Sequence, residues 1–381
     1  MAELKKPRRL NGSGSRLKTS GKKTIRESVV KKKVVKKTTK KIDALDLKRS
    51  NKNPIIEPTS YRHWESKATF NPTAIVHDGK VHIIYRAIGN ADVSVLGYIR
   101  SDNGHNVISS SKELAYYCLN TQSTEKINKK DVLPIFYSSG GGWGGGCEDP
   151  RLTLFNDQVY MIYTSFDGWG SVRMALTSIS LDDFLSQRWN WKEPVVISPP
   201  GEIHKNWVLF PEKIKGKYAI LHSLSPKIMI DYFKSLNELD GENYIYSIHQ
   251  GSPLWETRNR LMRGVGPAPL KTKYGWLILY HKMERHDSHR YKLWAMILDL
   301  EDPTKILYDS SQPILEPDLW YENEGYKSGV VYSCGSVIKD GQLFVYYGGA
   351  DKVSCVATAN LDKFLKELTH SSVSLLKKDK I

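Results

Sequence analysis

Five stretches of this chain repeat one pattern, and that repetition constrains the fold more than any other feature. They begin at Phe70-Asn71-Pro72-Thr73, Glu148-Asp149-Pro150-Arg151, Leu209-Phe210-Pro211-Glu212, Val265-Gly266-Pro267-Ala268 and Cys334-Gly335-Ser336-Val337. Each opens with a polar or small residue, usually with proline at a fixed place, and runs into a short apolar strand. A turn follows (Asp78-Gly79, Asn156-Asp157, Lys215-Gly216, Tyr274-Gly275, Asp340-Gly341), then a strand rich in aromatic and β-branched residues. Turn residues between such runs are the hairpin signal, and a strand tolerates proline at its entrance. Counted from Pro72, Pro150, Pro211, Pro267 and Gly335, the units recur at 56 to 78 residues, room for about four strands each. Helical patterns are confined to Leu181–Leu185 and Leu361–Leu368. The expected class is all-β, a five-bladed β-propeller; a β-sandwich with chance hairpins is the alternative.

The charge is distributed in a way that sets domain limits. The chain has 381 residues and a formal net charge of +15. Residues 1–53 hold 19 Lys/Arg against Glu3, Glu27, Asp43 and Asp46. The rest, 54–381, has 37 basic and 37 acidic residues. The basic segment has no Phe, Trp or Tyr and no apolar periodicity, so 1–53 is expected to be a disordered tail and 54–381 the folded catalytic domain. Such a tail is either a solubilising extension or a weak polyanion-binding arm; with no aromatic interleaving, specific base readout is not expected. No signal peptide and no membrane span of about 20 apolar residues is visible. Cys118, Cys147, Cys334 and Cys355 have neither CxxC nor metal-ligand spacing, so reduced thiols, a cytoplasmic location and no metal are expected.

In a propeller the innermost strands surround a central channel, so their entrances mark the candidate pocket. That criterion selects Asn71 and Arg86 from the first unit and Glu148, Asp149 and Arg151 from the second. The third contributes His204, Lys205, Glu212 and Lys213, the fourth His281 and, on the following loop, Tyr291, and the fifth Asp351. Trp64, Trp143, Trp207 and Tyr332 lie near these in sequence, and Trp143 interrupts a glycine run that reads as a lid carrying one stacking ring. Rings for apolar sugar faces and charges for hydroxyls or an anion suit a carbohydrate site. The glycine run lacks the Gly-Lys-Ser/Thr ending of a phosphate-binding loop, and no Gly-x-Ser-x-Gly nucleophile elbow occurs. Each residue also has a plainer role available: Asp149 as a turn former, Arg151 as an ion-pair partner, His281 as a core histidine.

Cys147-Glu148-Asp149-Pro150-Arg151, Leu209-Phe210-Pro211-Glu212-Lys213-Ile214, Gly264-Val265-Gly266-Pro267, Gly275-Trp276-Leu277-Ile278-Leu279-Tyr280-His281, Leu298-Asp299-Leu300-Glu301-Asp302-Pro303 and Tyr346-Tyr347-Gly348-Gly349-Ala350-Asp351 together resemble glycoside hydrolase family 130. That family comprises β-mannoside phosphorylases and some β-mannosidases, and the resemblance runs from about Trp64 to Leu365. It implies a five-bladed propeller, Asp149 as general acid, Arg151, Arg173 and Lys213 as phosphate ligands, and Asp351 in the same subsite. The implied co-substrate is inorganic phosphate, with no other cofactor; the implied partner is an oligosaccharide, and a homo-oligomer stays open. An inverting hydrolase needs a carboxylate base for water, whereas a phosphorylase needs cations that position phosphate. Cations at 173 and 213 therefore favour phosphorolysis, while Glu148 and Glu212 as bases keep hydrolysis open. A non-catalytic sugar-binding module is the further alternative. The basic stretch Trp255–Arg263 departs from the family pattern and bears on the partner sugar.

Overall fold

Asp78-Gly79, Lys215-Gly216 and Asp340-Gly341 all adopt left-handed φ, between 46° and 77°. Two consecutive left-handed residues make the tight hairpin turn whose twist matches the flanking strands. The computed structural model describes residues 45–117, 144–168, 171–249 and 251–371, and they are nearly all β.

Strand β1 (Lys48–Arg49) precedes five antiparallel units. The first is β2 (Ala68–His77), β3 (Lys80–Ile88), β4 (Ser94–Ser101) and β5 (Ser109–Ser110). The second is β6 (Gly146–Phe155), β7 (Gln158–Phe166), β8 (Val172–Ser180) and β9 (Val195–Val196). The third is β10 (Val208–Leu209), β11 (Tyr218–Ser223) and β12 (Met229–Phe233). The fourth is β13 (Met262–Val265), β14 (Leu270–Thr272), β15 (Gly275–Glu284), β16 (Asp287–Leu298) and β17 (Ile306–Asp309). The fifth is β18 (Val331–Lys339), β19 (Gln342–Gly349) and β20 (Val353–Asn360), with β1 as its outer strand. The first two units share a sheet through one parallel pair, Ser94 with Gly146. Helices α1 (Leu181–Leu185) and α3 (Leu361–Ser371) fall where the Leu-Asp-x-Phe-Leu pattern predicts them, and α2 (Trp320–Asn323) is a single extra turn.

The cores lie between units, because β2 and β6 are buried along almost their whole length on both faces. Ile84 and Tyr98 of the first unit pack with Leu152 and Tyr163 of the second. Ile162 and Met174 pack with Trp207 and Leu209 of the third, and Phe210 and Leu221 with Trp276 and Tyr280 of the fourth. Leu279 and Leu293 pack with Val331 and Val345 of the fifth. Val337 and Tyr346 of the fifth pack with Ile83 and Tyr85 of the first.

The expected boundary at residue 53 moves toward the N-terminus. Leu45 and Leu47 are buried in the core between the fourth and fifth units, Lys48 and Arg49 pair with Thr358 and Ala357, and Asn53 bonds the backbone of Val356. A Leu-x-Leu alternation suffices for one edge strand, and the surrounding lysines concealed it. The tail through residue 44 lies outside the described residues. The third unit also departs from the expected alignment. Phe210 N bonds Ala219 O and Ile214 pairs with Lys217, so Pro211, Glu212 and Lys213 sit near the β10–β11 turn. Asn206 stands before the strand, where Asp149 would have led one to look for Phe210.

Candidate active site

Asn71 and Asp149 occupy corresponding places in β2 and β6. Both have left-handed φ, 49° and 50°, both precede a proline, and both fall where the ladder slips, between Phe70 and Thr73 and between Glu148 and Arg151. Proline has no N–H for the ladder, and the bulge it accompanies re-aims the preceding side chain. As a result Asn71 Nδ2 donates to Asp149 Oδ1 at 2.7 Å.

Arg86, at the end of β3, is completely buried beneath this pair. Its Nη1 donates to Asp149 Oδ1 at 3.2 Å, its Nη2 to Glu148 Oε1 at 3.0 Å and its Nε to Ser94 Oγ at 2.9 Å, and its Cζ lies over the Phe70 ring, 4.7 Å from the centroid. Lys205 Nζ donates to the other oxygen of Glu148 at 2.9 Å. Burial works to raise the Asp149 carboxyl, but Arg86, Lys205 and Arg151, with the Asn71 hydrogen bond, hold it below its ordinary range. Asp351 behaves oppositely. Burial, with the negative charge of Asp149 adding, pushes its carboxyl up to about 6 against the pull of Lys327, Arg86 and Lys205.

Arg151 ties the second, third, fourth and fifth units together. Its Nη1 donates to Asp149 O at 2.6 Å, its Nε to Gly266 O at 3.1 Å and its Nη2 to Asn206 Oδ1 at 2.7 Å and Tyr332 Oη at 3.3 Å. Tyr332 Oη itself donates to Asn206 Oδ1 at 2.6 Å. His281 stacks on Tyr332 with ring centroids 4.2 Å apart, and its Nε2 accepts from Ser333 N at 2.9 Å. Burial, with Arg151 adding, pulls that imidazole down to about 3, so the fully buried His281 is a neutral ring against Tyr332, which fits the core-histidine alternative better than a sugar ligand. Tyr291, 6.3 Å from Tyr332 by ring centroids, carries Lys327 and Arg263 against its face. Burial pushes the Cys334 thiol up to about 12, which makes it inert as a nucleophile.

Among the described residues, the other expected ones make none of these contacts. Arg173 is level with the cluster but on β8, across Ser165 from Cys147; its Nε donates to Ser198 O at 2.9 Å and Tyr244 covers it. His204 is buried, and its Nε2 lies 2.6 Å from Glu202 Oε2. Burial pulls it down to about 4 against the opposing pull of Glu202, and its sequence neighbour Lys205 reaches the cluster instead. Glu212 pairs with Lys271 on the exposed surface, and Lys213 packs on Tyr218, so neither is brought to Asp149. Trp143 lies outside the described residues. The sequence had proposed Lys205 and Tyr332 only as pocket lining and had missed Asn206, Arg263 and Lys327. The usable signal was the polar run His204-Lys205-Asn206 immediately before β10, obscured by the proline at the strand's other end.

The site thus sets one carboxyl, Asp149, in a field of buried cations, beside a second carboxyl, Asp351, that retains its proton further up the pH scale. Residues 46–370 match a family described as beta-1,4-mannooligosaccharide phosphorylase. A 1,2-beta-oligomannan phosphorylase from Thermoanaerobacter sp. (strain X514) is 36% identical over 82% of this chain and 97% of that protein. A beta-1,2-mannobiose phosphorylase from the same organism is 30% identical over 88% of this chain and 98% of its own. The solved beta-1,2-mannobiose phosphorylase of Listeria innocua has the same fold, with a TM-score of 0.61 at 23% identity over 84% of this chain and 99% of that one. The chain belongs to glycoside hydrolase family 130.

Proposed function

We propose that the chain is an inverting β-mannoside phosphorylase, which cleaves a β-mannosidic bond with inorganic phosphate to give α-mannose 1-phosphate. The β-1,2 linkage named for both Thermoanaerobacter relatives is the linkage we assign to its substrate. Asp149 protonates the glycosidic oxygen as the C1–O bond breaks, and a phosphate oxygen bonds C1 from the opposite face. The proton that Asp149 gives up returns from the product phosphate or from solvent. An acid must hold a proton before it gives one, and Arg86, Lys205 and Arg151 favour the ionised form of Asp149. Phosphate places negative charge on the same cations, which weakens their hold on the carboxylate and lets its proton affinity rise.

The observation that carries phosphorolysis over hydrolysis is the setting of Glu148: each of its oxygens accepts from a cation, one from the buried Arg86 and the other from the partly exposed Lys205. Glu148 is also fully buried, so a base role would have to work through an ion-paired carboxylate closed off from solvent, and Glu212, the other expected base, sits at the surface. Among phosphate ligands, Lys205 replaces Lys213 in this reading, and Arg173 supplies a second cation. Arg151 acts mainly as a buried charge that positions the Asp149 bulge, its guanidinium being committed to four neighbours. The test is to incubate the purified chain with β-1,2- and β-1,4-linked manno-oligosaccharides with and without phosphate. Mannose released at the same rate without phosphate overturns phosphorolysis in favour of hydrolysis with Asp351 as the remaining carboxylate.

We read the five units as blades of one propeller. Supporting this, four of the five cores each join one unit to the next and the remaining one joins the fifth back to the first. Among the described residues no helix is long and apolar enough to cross a membrane. A cytoplasmic setting suits the buried thiols of Cys147, Cys334 and Cys355. The basic residues of 1–44 provide a polyanion-binding arm, an assignment that salt-independent retention on heparin, or retention after their removal, overturns.

A further inference from the structure

Between the segment entering β2 and the connection from α2 to β18 opens a cleft of about 450 Å³. That is within the roughly 300–1,000 Å³ of small-molecule sites. Two large rings on it face solvent, Trp320 at 56% exposure and Tyr326 at 47%. Trp320 is held edge-on to the buried Tyr321 ring, 5.5 Å away. Glu57, Lys67, Glu324 and Lys352 interleave the rings with donors and acceptors. None of these six side chains has a part in the chemistry described above.

The cleft shares its walls with the site. Lys352 follows Asp351 in the chain, and its carbonyl accepts from Thr69 N at 2.9 Å, two residues before Asn71. Tyr326 precedes Lys327, whose N–H bonds Ala350 O at 3.1 Å and whose charge acts on Asp351. Through these backbone links the cleft lining is one residue removed from Asp351, at Lys352, and from Lys327, at Tyr326.

We propose that this cleft is a distal sugar subsite, holding mannosyl units of an oligosaccharide beyond the bond being cleaved. The assignment rests on the mannoside phosphorylase reading. A pyranose ring has an apolar C–H face, which an exposed indole or phenol covers, and a fringe of hydroxyls that needs both donors and acceptors. The alternative occupant, a second copy of this chain, calls for a more continuous apolar surface than one broken by two lysines and two glutamates.

The experiment compares the full chain with its Trp320→Ala, Tyr326→Ala and Trp320→Phe variants. It measures phosphate-dependent release of mannose 1-phosphate from β-1,2-linked mannobiose, mannotriose and mannotetraose. In Trp320→Ala, kcat/KM for the triose and tetraose falls about tenfold, the factor that 1.4 kcal/mol carries. The value for mannobiose changes less than about twofold, and Trp320→Phe recovers most of the loss. An equal loss on all three lengths, or no loss, overturns the subsite. So does a change in sedimentation of the variants without a length-dependent effect, which makes the face a contact between copies. If the unaltered chain releases mannose 1-phosphate from none of them, the phosphorylase reading fails, and the subsite is judged by binding alone. Quenching of tryptophan fluorescence must then show mannotriose bound more tightly than mannobiose, and the difference must vanish in Tyr326→Ala.

Discussion

Replacing Asp351 by Asn should stabilise the folded chain at alkaline pH while impairing its chemistry. Asp351 is 4% exposed, and burial together with Asp149 pushes its carboxyl from 3.8 up to about 6. A carboxyl whose pKa is raised by folding keeps its proton more readily in the native state. It favours folding least when ionised, so stability is lost as pH rises from about 4 through about 6. The shift of about two units corresponds to about 3 kcal/mol at pH 8, and about half of that is already present at pH 5. Asn cannot ionise, and it tolerates the left-handed φ of 53° that position 351 requires. The variant should therefore gain about 3 kcal/mol at pH 8 and about half that at pH 5. For a domain of this length the unfolding entropy is about 0.7 kcal/mol per kelvin, so the gain at pH 8 is about 4 °C in Tm. Scanning calorimetry at pH 5 and pH 8, paired with phosphorolysis rates, reads both effects. If the variant melts no higher than the parent at pH 8, or its advantage does not grow with pH, Asp351 is not the strained carboxyl described here.

Asp149→Asn should lower turnover of unactivated mannosides by roughly 10²–10⁴-fold, yet lose far less on a 2,4-dinitrophenyl mannoside, whose leaving group needs no proton; equal losses on both would remove Asp149 from the acid role. Arg49→Ala should cost about 3 kcal/mol in urea unfolding, because Glu322 is fully buried and loses contacts of 2.7 and 2.9 Å; an unchanged midpoint would mean that β1 adds nothing. Gly348→Ala should cost about 1–3 kcal/mol and depress turnover. Its Cβ would stand 2.2 Å from Asn71 Oδ1 and 2.7 Å from Asn71 N, displacing the group that bonds Asp149; wild-type activity would show that this contact relaxes freely.

How far the site could be read from the chain depends on which of its contacts are local. Asn71-Pro72 and Asp149-Pro150 were legible because a polar residue able to adopt left-handed φ, followed by a proline, is a bulge written into the sequence. The same rule misled at Pro211, which lies near a turn and carries Glu212 and Lys213 away from the cluster. Leu45 and Leu47 were hidden for a different reason: two apolar residues among lysines show no periodicity until β20 supplies the other half of the ladder. The partners were out of reach altogether. Asn71 and Asp149 are 78 residues apart in sequence, and Arg151 and Tyr332 are 181 apart, so nothing short of the packing of successive units joins them. That packing also explains why the residues at its centre break the apolar pattern of their strands. Arg86, Glu148, Asp149 and Asp351 are all nearly or fully buried, and ions taken out of water seldom improve stability even when paired. Arg86, Glu148 and Asp149 stand in otherwise apolar strands and Asp351 in the turn after β19; burying charge there runs against folding, and such conflicts are expected where function requires them. Glu148 is the more telling of the pair: the left-handed bulge before Pro150 accounts for an aspartate at 149, whereas nothing local calls for a second acid in a strand buried on both faces.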